Sequence, residues 1–203
     1  MMDISKNLIG NKYLVQKLLG NFNDNTISNS IIFSGPKGIG KTTAAFYLIN
    51  KIYLNLNPSE LNNSNLIYNN SHPNIKYLTK KYDEKTKKLK KNILIDQIRN
   101  YSNFLIQSTF DNLPKFIIID SADDLNINSA NSLLKSLEEP KLNTFFILIS
   151  HQFSNLLPTI RSRCLNYFFQ KPTYEEFSEI LKANNISINL SDINFLFSLT
   201  NGA

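Results

Sequence analysis

The chain has 203 residues, enough for one large domain or one and a part. Its 42% hydrophobic residues can form a core, no apolar run spans a membrane, and a single cysteine, Cys164, excludes a disulfide framework. We therefore expect a cytoplasmic protein with no membrane partner. The formal net charge of +6, from 22 basic against 16 acidic residues, favours polyanionic partners.

The first part of the chain is predicted to alternate helix and strand. Residues 12–19 have one apolar face and predict a helix that Gly20 ends at its C′ position. Residues 30–34 predict a buried strand, and residues 41–54 predict a second helix. Residues 55–71 are rich in Asn and Ser, have no steady period, and predict a loop.

A glycine-rich stretch joins the first strand to the second helix, and it fits the phosphate-loop pattern G-x-x-x-x-G-K-[ST] at every fixed position. Its glycines allow a tight turn whose N–H groups face an anion, while Lys41 supplies a full charge and Thr42 a hydroxyl for Mg²⁺. A chance glycine-rich turn is the alternative, but the flanking strand and helix oppose it. The predicted nucleotide-binding residues here are Gly35, Pro36, Lys37, Gly38, Ile39, Gly40, Lys41, Thr42 and Thr43.

The middle of the chain begins with a short strand predicted over residues 75–78. Residues 80–91 contain seven lysines and are predicted to form a solvated hairpin or loop; contact with DNA phosphates is the weaker alternative. A helix is predicted to run from residue 95 to about residue 108.

The remaining elements complete an α/β pattern. They are strands over residues 115–120 and 144–150, a helix over residues 128–139, a short helix from residue 157 carrying Arg161 and Arg163, and a strand over residues 165–169. Apolar strands without alternation, separated by helices, predict a parallel sheet covered by helices on both faces. Ligands of such sheets bind at the carboxyl ends of strands, where the phosphate loop and Asp120 both fall.

A helical region is predicted to follow residue 170, with an amphipathic helix over residues 173–183 and another over residues 192–199. We divide the chain into a nucleotide-binding domain, residues 1–170, and the start of a small helical domain, residues 171–203. The chain stops abruptly within this helical region, so we expect it to be a fragment.

Asp120 ends its strand in the form of the second nucleotide motif, in which a carboxylate holds Mg²⁺ beside the loop threonine; a helix cap is the alternative. ATPases of this type carry Glu at the next position, but here it is Ser121, which cannot act as a general base at neutral pH. We expect Asp123 and Asp124 to cap the following turn or helix.

These motifs together resemble the AAA+ ATPases of DNA clamp loaders, in particular the delta-prime subunits of bacterial DNA polymerase III. The resemblance covers most of residues 7–170. Besides the phosphate loop, it is carried by Leu8-Ile-Gly10, His72-Pro-Asn74, Ile117-Ile-Ile-Asp-Ser-Ala-Asp-Asp-Leu-Asn126, Ala130-Asn-Ser-Leu-Leu-Lys-Ser-Leu-Glu-Glu-Pro140 and Leu157-Pro-Thr-Ile-Arg-Ser-Arg-Cys164. It implies a AAA+ P-loop domain followed by a helical lid, with the C-terminal collar domain and the second sensor arginine lying beyond residue 203.

The resemblance also implies roles for single residues. Ile9 and Gly10 would border the adenine pocket, and Ser150 lies where the first sensor residue ends its strand. Arg163 would be an arginine finger that reaches into the ATP site of a neighbouring subunit.

The alternative for Arg163 is an ion pair with the helix that ends at Glu138 and Glu139. Arg161, two residues away on the same short helix, is expected to point about 200° from it.

The implied function is participation in ATP-dependent loading of the sliding clamp onto DNA, as a non-catalytic subunit of the polymerase holoenzyme. The implied partners are the gamma/tau and delta subunits in a hetero-oligomer, the sliding clamp indirectly, and primed DNA weakly. ATP and Mg²⁺ are the expected cofactors. Ser121 fits delta-prime and opposes the alternative, a hydrolysing AAA+ ATPase such as the gamma/tau motor or a repair ATPase. A P-loop kinase or GTPase is disfavoured because no guanine-reading or acceptor-binding motif is present.

A structural zinc site is not expected. The four-cysteine module that gamma, tau and some delta-prime chains carry is absent from residues 55–71, where no cysteine occurs. His72 and His151 have no ligand partner at suitable spacing and are interpreted as loop residues, and Cys164 as a small buried residue.

Overall fold

Helices and strands alternate along the computed structural model, which describes residues 8–58, 63–83, 87–107, 109–184 and 189–200, with residues 186 and 202. The elements are α1 (Lys12–Asn23), β1 (Ser30–Ser34), α2 (Lys41–Leu56), α3 (Asn63–Tyr68), β2 (Ile75–Thr79), β3 (Tyr82–Asp83), β4 (Lys88–Leu89), α4 (Ile95–Ile106), β5 (Lys115–Asp120), α5 (Ile127–Glu138), β6 (Thr144–Ser150), α6 (Pro158–Arg161), β7 (Leu165–Phe168), α7 (Tyr174–Ala183) and α8 (Leu190–Thr200).

Five strands form one parallel sheet in the order β2-β5-β6-β1-β7. Strand β6 lies between β1 and β5, with Ser34 opposite Ser150 and Asp120 opposite Ile149. The carboxyl ends of β1, β5 and β6 therefore meet at one edge. The phosphate loop, Asp120 and the residues after Ser150 all belong to that edge.

The three central strands β1, β5 and β6 are buried on both faces, as their apolar runs predict, whereas the edge strand β7 is largely exposed. In β1, Ile31 and Phe33 belong to a core shared with α1, α2 and α3, whereas Ile32 belongs to a second core shared with α4, α5 and α6. All three side chains are at most 2% exposed. Each such buried side chain contributes about 1.5–3 kcal/mol relative to an exposed one. The predicted α/β fold class is confirmed.

Two local predictions are wrong. Helix α1 continues past Gly20 to Asn23, because Phe22 packs against the core beside Phe145, with ring centroids 5.5 Å apart. Part of the loop predicted over residues 55–71 is helix α3, where Ile67 and Tyr68 are buried against the same core. In both places, packing against residues distant in sequence decides the local structure.

Within the lysine-rich segment, β3 and β4 form an antiparallel pair in which Tyr82 lies opposite Leu89. This agrees with the hairpin, one of the two forms predicted for residues 80–91. Helices α7 and α8 occupy the two predicted positions and contact each other through Tyr174, Phe177 and Phe197. Among the residues that the structure describes, no helix is long and apolar enough to cross a membrane.

Candidate nucleotide-binding site

Gly35 and Gly40 show why the phosphate loop depends on glycine. Gly35 has φ 141°, and a Cβ there would collide with the backbone oxygen of Phe169. Gly40 has φ 86° and immediately precedes α2, whose first residue is Lys41. An L-residue with a side chain is strained at either angle. The loop can therefore turn tightly enough to place its backbone against an anion at the start of α2.

Lys41 is buried beneath the loop, with 3% of its surface exposed. Its Nζ donates to the backbone oxygen of Gly35 at 2.7 Å and also to that of Pro36. Burial lowers the pKa of Lys41 to about 8, and the charges of Asp120 and Asp123 oppose this shift. The amine is therefore mostly protonated at pH 7. It is held by neutral carbonyl groups that a phosphate could replace.

Asp120 joins the phosphate loop to the end of β5. Thr42 Oγ1 donates to Asp120 Oδ2 at 2.7 Å, and the hydroxyl of Tyr77 donates to the same oxygen at 2.9 Å. Burial raises the pKa of Tyr77, and the charge of Asp120 and the hydrogen bond that Tyr77 donates to it raise the pKa further, so Tyr77 stays protonated. Asp120 thus bonds two side chains, unlike a helix cap. Sequence analysis missed Tyr77, because β2 also contains Lys76 and Thr79 and nothing in its sequence marks this hydroxyl as the one that reaches Asp120.

The oxygens of Thr42 and Asp120 suit a hard divalent cation. Within the described part of the chain, no group of three or more His, Cys, Asp or Glu side chains could hold a metal ion. A cation beside Thr42 would therefore need phosphate and water oxygens to complete its shell, which is how Mg²⁺ is usually bound.

The expectation that Asp123 and Asp124 are caps is wrong. Asp123 Oδ1 accepts from Ser150 Oγ at 2.9 Å, and its Oδ2 accepts from Ser121 Oγ at 3.0 Å and from the backbone N–H of His151 at 2.6 Å. Asp123 therefore ties the end of β5 to the end of β6. Asp124 forms an ion pair with Lys80 at 3.0 Å. Sequence spacing could not reveal these contacts, because Ser150 lies 27 residues from Asp123 and Lys80 lies 44 residues from Asp124.

Two cavities lie beside the loop. The first is an open cleft of about 1040 Å³ at the carboxyl edge of the sheet, lined by Gly35, Pro36, Lys37, Gly38, Thr42, Asp120, Ser121, Asp123 and His151, with Lys80 and Leu89 also contributing. The second is a pocket of about 240 Å³ lined by Ile9, Gly38, Ile39, Gly40 and Thr43 together with Phe177 and Ile180 of α7. Gly38 lines both.

The structure thus brings most of the predicted nucleotide-binding residues together. Gly10, which was predicted to border the adenine pocket, is the exception. It is buried close to the carboxylate of Glu176 and does not line the smaller pocket.

Arg163 lies apart from this site. Helix α6 ends at Arg161, so the expectation that both arginines lie on one helix is wrong. Arg163 lies in the turn that follows, where its N–H donates to the backbone oxygen of Ile160. Arg163 forms an ion pair with Glu138 through Nε and Nη2, and its Nη1 donates to the backbone oxygen of Thr159 at 2.8 Å. This is the ion pair considered as the alternative role.

The remaining candidate side chains have structural surroundings. Arg161 places its guanidinium 5.6 Å from the ring centre of Phe153. His72 is 2% exposed and packs against Tyr53, and burial lowers its pKa to about 4. Cys164 is half-buried between α6 and β7, and burial raises the pKa of its thiol to about 12.

Comparison with known proteins agrees with this geometry. Residues 10–173 match the sequence family described as DNA polymerase III, delta subunit. The chain belongs to this family. It is 34% identical over 143 residues to DNA polymerase III subunit delta′ of Pseudomonas aeruginosa, covering 68% of this chain and 42% of that protein. It is 31% identical over 192 residues to subunit delta′ of Bacillus subtilis, covering 92% of this chain and 55% of that protein.

A solved structure shows the same fold. A DNA polymerase III gamma-subunit-related protein from Thermotoga maritima superposes with a TM-score of 0.55 at 19% identity, covering 83% of this chain and 49% of that one. The recognition of a AAA+ clamp-loader subunit close to delta-prime is confirmed. The chain spans about half the length of these relatives.

Proposed function

We propose that this chain is a delta-prime-type subunit of a DNA polymerase III clamp loader, which binds Mg·ATP around its phosphate loop and hydrolyses little of it. The observation that carries the proposal is Ser121, the residue after Asp120. It is 5% exposed and its hydroxyl donates to Asp123, so the place of the water-polarising carboxylate holds a hydroxyl without basicity. The proposed partners are the gamma/tau and delta subunits in a hetero-oligomer, the sliding clamp indirectly, and primed DNA.

The two cavities support nucleotide binding in one orientation. The pocket beside Ile9 is largely apolar and suits a base, and the cleft, which shares Gly38 with it, is lined by the phosphate loop. On binding, Lys41 would exchange the neutral oxygens of Gly35 and Pro36 for charged phosphate oxygens, which make stronger hydrogen bonds. Thr42 and Asp120 would hold Mg²⁺, which neutralises charge on the outer phosphates.

The helices after residue 170 fit the same proposal. We assign residues 1–170 to the nucleotide-binding domain and residues 171–203 to the start of a helical lid. Phe177 and Ile180 of α7 support this division, because they line the pocket proposed for the base.

Steady-state kinetics and binding test this assignment. Calorimetric titration with Mg·ATP should show binding that Lys41→Ala abolishes, while the turnover of ATP by the isolated chain stays near background. Loss of a positioned base typically removes about 10² to 10⁴ in rate. Robust ATP turnover that disappears in Lys41→Ala would contradict the proposal. Absence of ATP binding would leave an assembly subunit with an unused phosphate loop.

One observation favours the alternative, a hydrolysing ATPase: the carboxylate of Asp123 lines the same cleft. Its oxygens, however, accept from the hydroxyls of Ser121 and Ser150 and from the backbone N–H groups of His151 and Gln152. These four donors occupy the lone pairs that a base needs. Turnover that Asp123→Asn removes, with ATP binding retained, would establish the alternative.

Arg163 is proposed to act on the nucleotide of a neighbouring subunit. It lies outside the cleft of its own chain, and its guanidinium presents a planar fork that suits phosphate oxygens. To act in this way it must leave or share its contact with Glu138. In the assembled loader, Arg163→Ala should lower ATP turnover at the adjacent site by about 10-fold or more.

Arg161→Ala is the matched control, since its guanidinium faces Phe153. Loader turnover that neither substitution changes would rule out the finger. So would an Arg163→Ala chain that fails to fold, because the residue would then be structural.

A further inference from the structure

Tyr77 touches the nucleotide-binding site but belongs to none of its sequence motifs. It lies in β2 opposite Ile118 of β5, two residues before Thr79, which lies opposite Asp120. Side chains two apart in a strand point to the same face, so Tyr77 and Asp120 lie on one face of the sheet. The hydroxyl of Tyr77 reaches Asp120 Oδ2 along this face at 2.9 Å.

The ring of Tyr77 is held by helix α2. It packs edge-on against Phe46, which is fully buried, with ring centroids 5.5 Å apart and ring planes at 63°. Phe46 follows Thr42 by four residues, so these two side chains lie on the same face of α2. The ring of Tyr77 therefore contacts one turn of α2, while its hydroxyl meets the carboxylate that Thr42 contacts from the preceding turn. This packing fixes the direction in which the hydroxyl points.

Asp120 Oδ2 accepts two hydroxyl hydrogen bonds, from Thr42 Oγ1 at 2.7 Å and from Tyr77. A carboxylate oxygen has about two lone-pair sites, so these two donors fill Oδ2. Among the residues that the structure describes, none donates to Asp120 Oδ1. Asp120 also lines the nucleotide cleft. Oδ1 is therefore the oxygen that Asp120 keeps for a cation or for a water of its shell.

The same arrangement orients Thr42. Its hydroxyl has one hydrogen, which is used on Asp120 Oδ2, so the lone pairs of its oxygen remain for a cation. If the carboxylate rotated, the hydroxyl of Thr42 would follow it, and both cation ligands would change direction together. The second hydrogen bond to Oδ2, from Tyr77, opposes that rotation. Groups that hydrogen-bond to metal ligands typically contribute about 10- to 100-fold to metal affinity in this way.

We propose that Tyr77 is a positioning residue for the divalent cation that accompanies the nucleotide. It does not contact the cation. It holds Asp120 Oδ2, and thereby keeps Asp120 Oδ1 and the hydroxyl oxygen of Thr42 available to Mg²⁺. The inference rests on the proposed function, since it concerns the site of Mg·ATP, and it adds the side chain that orients both cation ligands.

Calorimetric titration with ATP, first in EDTA and then in excess Mg²⁺, tests the proposal on the full chain. The ratio of the two Kd values measures what Mg²⁺ contributes to binding. Tyr77→Phe keeps the ring against Phe46 and removes only the hydroxyl. This variant should reduce the ratio about 10-fold or more, as expected for loss of a hydrogen bond to a metal ligand. Its Kd in EDTA should be unchanged, because the phosphate loop and Lys41 are untouched.

Tyr101→Phe is the matched control. The hydroxyl of Tyr101 donates to Ser136 Oγ at 2.7 Å, in the core on the other face of the sheet. Each substitution removes one hydroxyl and one hydrogen bond between side chains, so a general effect of that loss appears in both variants. Tyr101→Phe should keep the wild-type ratio.

An unchanged ratio in Tyr77→Phe, or an equal fall in Tyr101→Phe, would overturn the proposal. So would a Tyr77→Phe chain that fails to fold, or one that binds ATP more weakly by the same factor with and without Mg²⁺, because the hydroxyl would then be structural. These outcomes leave nucleotide binding by the wild-type chain intact. A wild-type chain that binds no ATP would instead remove the nucleotide part of the proposed function, and this inference with it.

Discussion

Acidification should destabilise this chain through His72. The imidazole Nδ1 accepts the backbone N–H of Asn74 at 3.1 Å, so the neutral ring carries its proton on Nε2. Protonation would turn Nδ1 into a donor facing another donor and would place a charge among Tyr53 and Phe110. Burial accordingly lowers the pKa of His72 to about 4 from its usual 6.5.

The size and sign of the effect follow from the two pKa values. Between pH 6.5 and pH 4 the unfolded chain binds a proton at His72 and the folded chain does not. The contribution of neutral His72 to stability is therefore fully present above pH 6.5 and is lost as the pH falls toward 4. Between pH 7 and pH 5, this proton binding lowers the free energy of unfolding by about 2 kcal/mol.

Urea unfolding at several pH values, compared with variants, isolates this contribution from that of the carboxylates. In His72→Asn the amide oxygen can still accept the N–H of Asn74 but does not titrate. This variant should be less stable at pH 7 because ring packing is lost, and should lack about 2 kcal/mol of the wild-type decrease between pH 7 and pH 5. His72→Phe, which keeps a ring and does not titrate, should lack the same part of the wild-type decrease. Parallel pH profiles for wild type and both variants would refute the reasoning.

Three further predictions concern the site. The affinity for Mg·ATP should fall up to about 10-fold between pH 7 and pH 9, because Lys41 with its pKa of about 8 loses its proton there; a pH-independent Kd by calorimetry would contradict this. Asp123→Asn should lower the free energy of unfolding by about 2 kcal/mol, because it disrupts hydrogen bonds that join β5 to β6, whereas Asp124→Asn should cost less than about 1 kcal/mol; equal denaturation midpoints would argue against that bridge. Glu138→Gln should change stability by less than about 1 kcal/mol, since the ion pair with Arg163 is partly exposed, and a large drop in Tm would make Arg163 a structural residue.

Much of the fold was determined by the sequence alone. The apolar runs of β1, β5 and β6 have no alternation, and only a sheet buried on both faces accommodates such runs. The phosphate loop was equally determined, because its glycines, Lys41 and Thr42 form a local motif whose chemistry requires those residues in that order. Asp120 at a strand end could be placed near Thr42 from topology, since carboxyl ends of parallel strands share an edge.

The tertiary structure alone decided the contacts that join distant parts of the chain. Tyr77 reaches Asp120, Asp123 bridges to Ser150, and Arg163 pairs with Glu138. The sequence offers several possible partners for each of these side chains. Strand order and the face on which each side chain lies determine which contact forms. Helix α1 passes through Gly20 for the same reason: burial of Phe22 outweighs the roughly 1 kcal/mol preference of glycine against helix. Local patterns carry information about periodicity, whereas these outcomes depend on which surfaces the assembled sheet brings together.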